Sequence, residues 1–172
     1  IILVTKSPDR LKPIERRLIV KDAALFAFQH LYFTRMVYLE PVPVFTDASP
    51  DIALSNIKAS SPAILMITGI ANPAIFRRHI TSISSRILEM TYPDHHNFSQ
   101  KDINQILQAY EEMEGNDRFI FTTEKDAMRL RKFANIDLDI KNRMFYIPIE
   151  PEFLNEDTEN FNNQILKYVK NN

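Results

Sequence analysis

Residues 63–91 decide the fold of this chain, and they read AILMITGIANPAIFRRHITSISSRILEMT. The opening apolar run is typical of a strand that is covered on both faces. A helix is predicted from Asn72-Pro73 to about residue 83, with Phe76 and Ile80 facing inward, because proline is favoured in a first helical turn. A second strand follows over residues 86–91. Such a strand–helix–strand unit predicts two parallel strands joined by a right-handed crossover.

The alternation of strands and helices continues to the end of the sequence. A helix beginning near Ser99 has the clearest amphipathic spacing in the chain. The further predicted elements are a strand at 118–122, a helix capped by Thr122 or Thr123, a strand at 143–149 and a terminal helix that buries Phe161, Ile165, Tyr168 and Val169. We therefore predict an α/β fold, in which residues 62–172 form a three-layer α/β/α domain with a mainly parallel sheet.

The residues before this domain are predicted to form different structures. A strand at 1–5 and a helix from Pro13 to about Phe26, with Ile14, Leu18 and Leu25 on one face, make up residues 1–30. We expect these to be a remnant of an N-terminal domain that has been removed, because the chain opens in the middle of a strand. Residues 31–61 are predicted as a two-stranded β-ribbon linker and hinge. Prolines at 41 and 43 assign its second half to a sheet edge.

The overall composition excludes several classes of function. The chain has 172 residues and a formal net charge of −1, which argues against a nucleic-acid binder held mainly by phosphate contacts. It contains no cysteine, so disulfides, thiolate metal ligands and thiol nucleophiles are excluded. We expect no nucleic-acid partner.

Glycine is scarce, with only Gly69 and Gly115 in the whole chain. Phosphate-binding loops need several glycines so that backbone N–H groups can approach the anion. Neither the P-loop pattern nor the dinucleotide fingerprint fits two such distant positions. We therefore expect no nucleotide-binding loop and no cofactor site in this chain alone.

The strongest functional signal is the segment PDHHNF at residues 93–98. It follows a predicted strand and precedes the helix at Ser99, and ligands of parallel sheets bind outside the carboxyl ends of the strands. A neighbouring Asp94 and His95 can hold a proton, orient a base or ligate a metal. Asp94 and His95 are the predicted catalytic residues. The alternative is that they only shape the loop and have no chemical role. His96 is less constrained. We predict no metal site, because no further ligand cluster is in view.

Two further residues are predicted to lie near the same sheet edge. In TTEKDA at 122–127, the threonines and acidic residues are accounted for by the start of a helix. Lys125 is then free to meet an anion or a carboxylate across the cleft. Asn72 is expected to cap the helix that begins at Pro73, so its role near the cleft is substrate binding or purely structural.

Five segments together resemble the C-terminal half of the tetraacyldisaccharide 4'-kinase family, which acts in lipid A biosynthesis in Gram-negative bacteria. They keep their order over nearly the whole chain, and they are ILVTKSP at 2–8, QHLYFT at 29–34, TGIANP at 68–73, PDHHNF at 93–98 and TTEKDA at 122–127. The resemblance implies two α/β/α domains joined by a ribbon. It also implies that the P-loop, the Mg²⁺-binding acids and a catalytic aspartate belong to an N-terminal domain outside this chain.

The resemblance implies an ATP-dependent, Mg²⁺-assisted transfer of a phosphoryl group to the 4'-hydroxyl of a tetraacylated disaccharide 1-phosphate. His95, paired with Asp94, would support the distant catalytic base. The implied partners are the missing P-loop domain and the lipid A precursor. The implied location is the cytoplasm, at the cytoplasmic face of the inner membrane. The enzyme would associate with this membrane peripherally, mainly through the half that is absent from this chain. The chain alone is expected to be inactive.

Two other functions stay open at this point. One is a metal-dependent phosphoesterase that uses Asp94, His95 and His96. The other is a non-enzymatic α/β binding module, in which Asp94 and His95 only cap a loop.

Overall fold

The chain forms two compact units, the first made of Ile1–Val37 with Ile149–Asn172 and the second of Tyr38–Pro148. A computed structural model describes residues 1–50, 57, 59–154 and 157–170. The strands are β1 (Ile2–Val4), β2 (Leu31–Tyr38), β3 (Val42–Pro43), β4 (Ala63–Thr68), β5 (Ile87–Thr91), β6 (Arg118–Thr123), β7 (Met144–Ile147) and β8 (Ile149–Phe153). The helices are α1 (Pro13–Asp22), α2 (Ala74–Thr81), α3 (Gln100–Glu111), α4 (Glu124–Leu130), α5 (Leu138–Lys141) and α6 (Asp157–Lys170).

The second unit is built on a five-stranded sheet in the order β3-β7-β6-β4-β5. The β4–β5, β4–β6 and β6–β7 pairs are parallel, and β3 pairs with β7 in the antiparallel direction. The register places Met66 of β4 between Glu89 of β5 and Phe121 of β6. The predicted parallel α/β fold is confirmed, and the proline-containing β3 lies at the predicted sheet edge.

Both faces of this sheet are covered, which makes three layers. Alternate residues of β4 enter different cores: Leu65 and Ile67 pack with α3 and α4 on one face. Ile64 and Met66 pack on the other face with Phe76 and Ile80 of α2. All six residues of β4 are buried, as the continuous apolar run predicts. The inward direction of Phe76 and Ile80 is confirmed.

The first unit contains a three-stranded sheet in the order β1-β2-β8, with β1 parallel to β2. Tyr32 of β2 is buried and contacts the rings of Phe153 and Phe161 edge-on, with centroid distances of 6.1 and 5.4 Å. Its hydroxyl donates to Oε1 of Gln164 at 2.8 Å. This aromatic cluster joins α6 to the sheet.

Helices α1 and α6 of the first unit are less buried than their sequences predict. Neither α1 nor α6 contains a buried residue. Periodicity identifies an apolar face but not what covers it, and the prediction that α6 buries Ile165, Tyr168 and Val169 is wrong: these side chains are 39, 70 and 64% exposed. Helix α1 also ends at Asp22 instead of near Phe26, and Ala24 just beyond it has φ of 46°, outside the right-handed helical region.

The predicted linker at residues 31–61 is divided between the two units. Strand β2 pairs with β1 and β8, whereas β3 pairs with β7. The partners lie far away in sequence, so local patterns do not identify them. Residues 51–56 and 58, including the polar stretch from Asp51, lie outside the described part of the chain. None of the helices in that described part combines the length and the apolar character that crossing a membrane requires.

The central strand β6 provides a test of this core. Phe121 is fully buried and stacks on Phe145 with centroids 5.8 Å apart. We expect Phe121→Ala to lower the free energy of unfolding by about 3–5 kcal/mol, because it removes a large buried ring and leaves a cavity. Urea unfolding followed by circular dichroism measures this loss.

The matched control is Leu88→Ala in β5, where the side chain is 45% exposed. We expect a loss of less than about 1 kcal/mol there, as is usual for exposed positions. Equal losses for the two variants would contradict the assignment of Phe121 to the core.

Candidate functional site

Strands β4 and β6 form the switch point of the sheet. They are parallel neighbours, but the chain leaves β4 towards α2 on one face and leaves β6 towards α4 on the other. Adjacent connections that diverge in this way open a crevice at the carboxyl ends of the strands, where ligands of α/β proteins usually bind. The loops after β4, β5 and β6 all reach this edge.

Asp94 and His95 lie in the loop after β5. The backbone N–H of His95 donates to Asp94 Oδ1 at 2.9 Å and to the carbonyl oxygen of Gly69 at 3.2 Å, so the loop is fastened to the end of β4. His95 has φ of 62°, a left-handed conformation that costs a non-glycine residue roughly 1–2 kcal/mol. Its side chain is 72% exposed. His95 therefore has an accessible imidazole and an unfavourable backbone conformation that the fold maintains, as is common at functional sites.

Lys125 joins this pair from the first turn of α4. Its Nζ donates to Asp94 Oδ1 at 3.1 Å and lies 3.3 Å from His95 Nε2. The hydrogen bond from Lys125 is the main cause that lowers the pKa of Asp94, and His95 adds to the effect. Asp94 is consequently a carboxylate at neutral pH. Lys125 thus pairs with a carboxylate of the loop after β5, and its part in binding an anion or a substrate stays a prediction.

Asp126 is a buried carboxylate beneath these exposed groups, with a side chain that is 0% exposed. It accepts hydrogen bonds from the Gly69 backbone N–H at 2.8 Å and from the Thr123 hydroxyl at 2.7 Å. A Cβ at Gly69 would lie only 3.0 Å from Asp126 Oδ1. A side chain at position 69 would therefore press on the buried carboxylate that ties the loop after β4 to α4, and this carboxylate would have to shift to make room.

Arg129 connects the buried carboxylate to the exposed histidine. Its Nη1 donates to Asp126 Oδ1 at 3.2 Å, and its Nη2 lies 3.4 Å from His95 Nδ1. A buried carboxylate requires such a partner, because an unpaired buried charge is costly. Both ring nitrogens of His95 thus face a cationic side chain.

His96 has a different environment from His95. Its Nε2 lies 3.1 Å from Asp102 Oδ2, and its ring stacks on Tyr92 with centroids 4.7 Å apart. Its side chain is 24% exposed. His96 therefore packs the loop against the start of α3 instead of joining Asp94 and His95.

Asn72 acts at the start of α2. Its Oδ1 accepts from the backbone N–H of Ala74 at 3.1 Å, but the helix begins at Ala74 and its N-cap is Pro73, so the prediction that Asn72 caps a helix beginning at Pro73 is wrong by one residue. In the described part of the chain no hydrogen bond joins Asn72 to Asp94, His95 or Lys125.

Holding a metal ion requires several ligating side chains that converge on one point. Across residues 1–50, 57, 59–154 and 157–170, no group of three or more His, Cys, Asp and Glu side chains is arranged to do so. What the arrangement offers instead is an oriented imidazole beside a carboxylate, suited to exchanging a hydrogen bond or a proton with a group arriving from outside.

Sequence reasoning missed the two residues that organise this site. The sequence accounts for Asp126 as an acidic residue in a first helical turn, and it gives no prediction for Arg129. The signal available was their i, i+3 spacing, which places a carboxylate and a guanidinium together on one helix. That Asp126 also reaches Gly69 depends on the alignment of β4 with β6, which no local pattern contains.

The Asp102 carboxylate provides a pH test of the loop that carries His95. The Ser99 N–H and hydroxyl, each 2.7 Å from Oδ2, and then His96 lower the pKa of Asp102 to about 2. A carboxyl with a lowered pKa stabilises the fold fully above its unfolded value, and this contribution disappears as the pH falls through about 2.

We therefore expect Asp102→Asn to lower the free energy of unfolding by about 1–2 kcal/mol at pH 7, as for the loss of a helix N-terminal cap. The difference from wild type should shrink below about pH 4. Urea unfolding across pH 2–7 measures it. Glu111→Gln, at an exposed carboxylate of the same helix, should show a nearly constant difference; a constant difference for Asp102→Asn would contradict the assignment.

Comparisons with known proteins agree on one family. Its model, described as tetraacyldisaccharide-1-P 4'-kinase, matches residues 15–170. The tetraacyldisaccharide 4'-kinase of Bacteroides fragilis is 38% identical over 174 residues, covering 100% of this chain and 46% of the relative. That of Bacteroides thetaiotaomicron is 35% identical over 177 residues, covering 100% and 47%. That of Parabacteroides distasonis is 33% identical over 169 residues, covering 98% and 46%.

The chain spans about half the length of the curated relatives it matches. The comparison with solved structures found no match. The family model nevertheless covers most of the chain, including the loop that carries Asp94 and His95 and the helix that carries Lys125. The chain therefore belongs to the tetraacyldisaccharide-1-P 4'-kinase family.

Proposed function

We propose that this chain is the C-terminal part of an ATP-dependent kinase that phosphorylates the 4'-hydroxyl of tetraacyldisaccharide 1-phosphate in lipid A biosynthesis. The observation that carries the proposal is the match of the whole chain to relatives named tetraacyldisaccharide 4'-kinase. The exposed and oriented His95 at the switch point of the sheet supports it, because this is the position where α/β enzymes place their ligands.

In this proposal His95 acts with a catalytic carboxylate that the other half of the enzyme supplies. Phosphoryl transfer depends mainly on the positioning of the reacting groups and on electrostatic stabilisation. The His95 imidazole would hydrogen-bond the carboxylate that removes the proton from the sugar hydroxyl. Asp94, kept ionised by Lys125 3.1 Å away, would hold His95 through its backbone N–H.

The described residues do not fit a site for ATP and Mg²⁺. No cluster of three metal-binding side chains is present among them, and the sequence has only two glycines with which to build a phosphate-binding loop. The two cations that contact His95 in the described structure are already engaged, Lys125 by Asp94 and Arg129 by Asp126. We infer that ATP and Mg²⁺ bind to an N-terminal P-loop domain outside this chain.

The substrate determines the proposed location and partners. An acylated disaccharide is held in a membrane, so an enzyme that phosphorylates it works at the membrane surface. We propose a peripheral position at the cytoplasmic face of the inner membrane, with the lipid contacts made mainly by the N-terminal half.

Replacement of His95 tests the catalytic part of the proposal. In the full-length protein that carries this chain, we expect His95→Ala to lower kcat by about 100-fold, the range for loss of an acid–base group, and to change the affinity for ATP little. Phosphate transfer to the lipid substrate and nucleotide binding by calorimetry measure the two effects.

His96→Gln is the matched control. Its ring faces Asp102 and Tyr92, so this change should lower stability while kcat stays close to the wild-type value. If kcat were unchanged in His95→Ala, His95 would have no part in the reaction.

The isolated 172-residue chain tests the proposal that ATP binds to a domain outside this chain. We expect it to transfer no phosphate from ATP and to show no tight nucleotide binding, because the phosphate-binding loop lies elsewhere in this proposal. Radiolabelled phosphate transfer and calorimetry provide the measurements. Turnover by this chain alone would refute the proposal, and a stoichiometric Mn²⁺ or Zn²⁺ ion in the purified chain would favour a metal-dependent phosphoesterase.

A further inference from the structure

Arg129 lies between the buried and the exposed parts of the site. Its Nη1 is 3.2 Å from Asp126 Oδ1, and its Nη2 is 3.4 Å from His95 Nδ1. A guanidinium group only donates hydrogen bonds. The contact with His95 is therefore a hydrogen bond only in a ring whose Nδ1 carries a lone pair and no proton.

The position of Arg129 is set by groups that belong to the sheet. Asp126, which holds it, also accepts from the Gly69 N–H at 2.8 Å and the Thr123 hydroxyl at 2.7 Å. The side chain of Asp126 is 0% exposed, and that of Arg129 is 24% exposed. Arg129 thus presents a well-supported donor at a defined place beside the His95 ring.

Lys125 competes for the same ring from the other side. Its Nζ lies 3.3 Å from His95 Nε2, and an ammonium group also only donates. A neutral imidazole has one acceptor nitrogen and one donor nitrogen. Only one of the two cations can therefore hydrogen-bond the ring at any time, and the choice decides which nitrogen carries the proton.

The surroundings favour the bond from Arg129. Lys125 is more exposed, at 41%, and it already donates to Asp94 Oδ1 at 3.1 Å. Asp94 Oδ2 lies 3.6 Å from His95 Nε2, and a carboxylate beside this nitrogen favours a proton on it. Both features leave Nδ1 as the acceptor nitrogen.

We propose that Arg129 is a positioning residue that fixes His95 as the tautomer with its proton on Nε2. The consequence for catalysis rests on the proposed function. A ring held in this way turns an N–H towards an incoming carboxylate, so it can hydrogen-bond the base without first changing its tautomer. Asp126 and Gly69 support the same arrangement indirectly, through Arg129.

Nitrogen NMR of the isolated chain tests the tautomer without any enzyme assay. The ¹⁵N shifts of the imidazole distinguish a protonated from an unprotonated nitrogen, and the His95→Gln spectrum assigns the signals among the four histidines. In alkaline buffer, at about pH 8.5, we expect an unprotonated Nδ1 and a protonated Nε2 in wild type. An unprotonated Nε2 would overturn the proposal.

Two substitutions separate the geometry of Arg129 from its charge. Arg129→Gln removes the positive charge. Arg129→Lys keeps the charge, but a lysine ammonium has one nitrogen and lacks the planar guanidinium fork that contacts Asp126 and His95 together. We expect both variants to shift the His95 signals towards a mixture of tautomers. Unchanged signals in both would overturn the proposal.

Arg77→Gln is the matched control, since it removes an exposed arginine–carboxylate pair, with Glu89, that does not contact His95. It should leave the His95 tautomer as in wild type. A urea transition for each variant confirms that the chain is folded when its spectrum is recorded.

Kinetics of the full-length protein then test the consequence. We expect Arg129→Gln to lower kcat about 10-fold, as is typical for a residue that orients a catalytic group, with KM close to wild type. In the double variant with His95→Ala, Arg129→Gln should cause no further loss of kcat, because Arg129 acts through the His95 ring. Independent, multiplying losses would overturn the positioning role.

The two proposals fail in different ways. If His95→Ala leaves kcat unchanged, the proposed function fails, while the NMR result still decides the tautomer. If the tautomer does not depend on Arg129, the positioning role fails, while the kinase assay still decides the role of His95.

Discussion

The hydrogen bond between the Gly69 N–H and the buried carboxylate of Asp126 is the contact on which the site depends. It joins the loop after β4 to the helix after β6, at the point where the sheet connections diverge. Since Asp126 is a buried carboxylate, it needs strong hydrogen-bond partners. Thr123 and Arg129 donate the remaining hydrogen bonds. The close packing at Gly69 and the position of Arg129 both follow from this one carboxylate.

The exposed part of the site, Asp94, His95 and Lys125, lies above this buried contact. The His95 N–H reaches the Gly69 carbonyl, and its ring lies between Arg129 and Lys125, so the loop after β4 holds its backbone and α4 holds its side chain. The left-handed conformation of His95 is maintained by these contacts against its intrinsic cost. His96, one residue later, is instead packed on Tyr92. The neighbouring histidines of one motif therefore have different surroundings.

Sequence reasoning was most accurate where a single element determines the outcome. The amphipathic spacing of α3 places Ile103, Ile106 and Tyr110 in the core, and Thr123 caps α4 as its position indicates. The resemblance to the kinase family is confirmed by the family match over residues 15–170. The prediction was least accurate for α6, because an apolar face in a sequence carries no information about what lies against it.

The sequence by itself determined the alternation of strands and helices, the covered strand β4 and the loop in which Asp94 and His95 stand, since these depend on side-chain periodicity and short-range turn chemistry. Only the tertiary structure decided that Asp126, Arg129 and Lys125 meet that loop. Their contacts span about thirty residues or more of sequence and exist because parallel pairing brings the carboxyl ends of β4, β5 and β6 to one edge. Strand order and register, which join distant segments through hydrogen bonds between backbones, are properties of the folded sheet and of no single stretch of the chain.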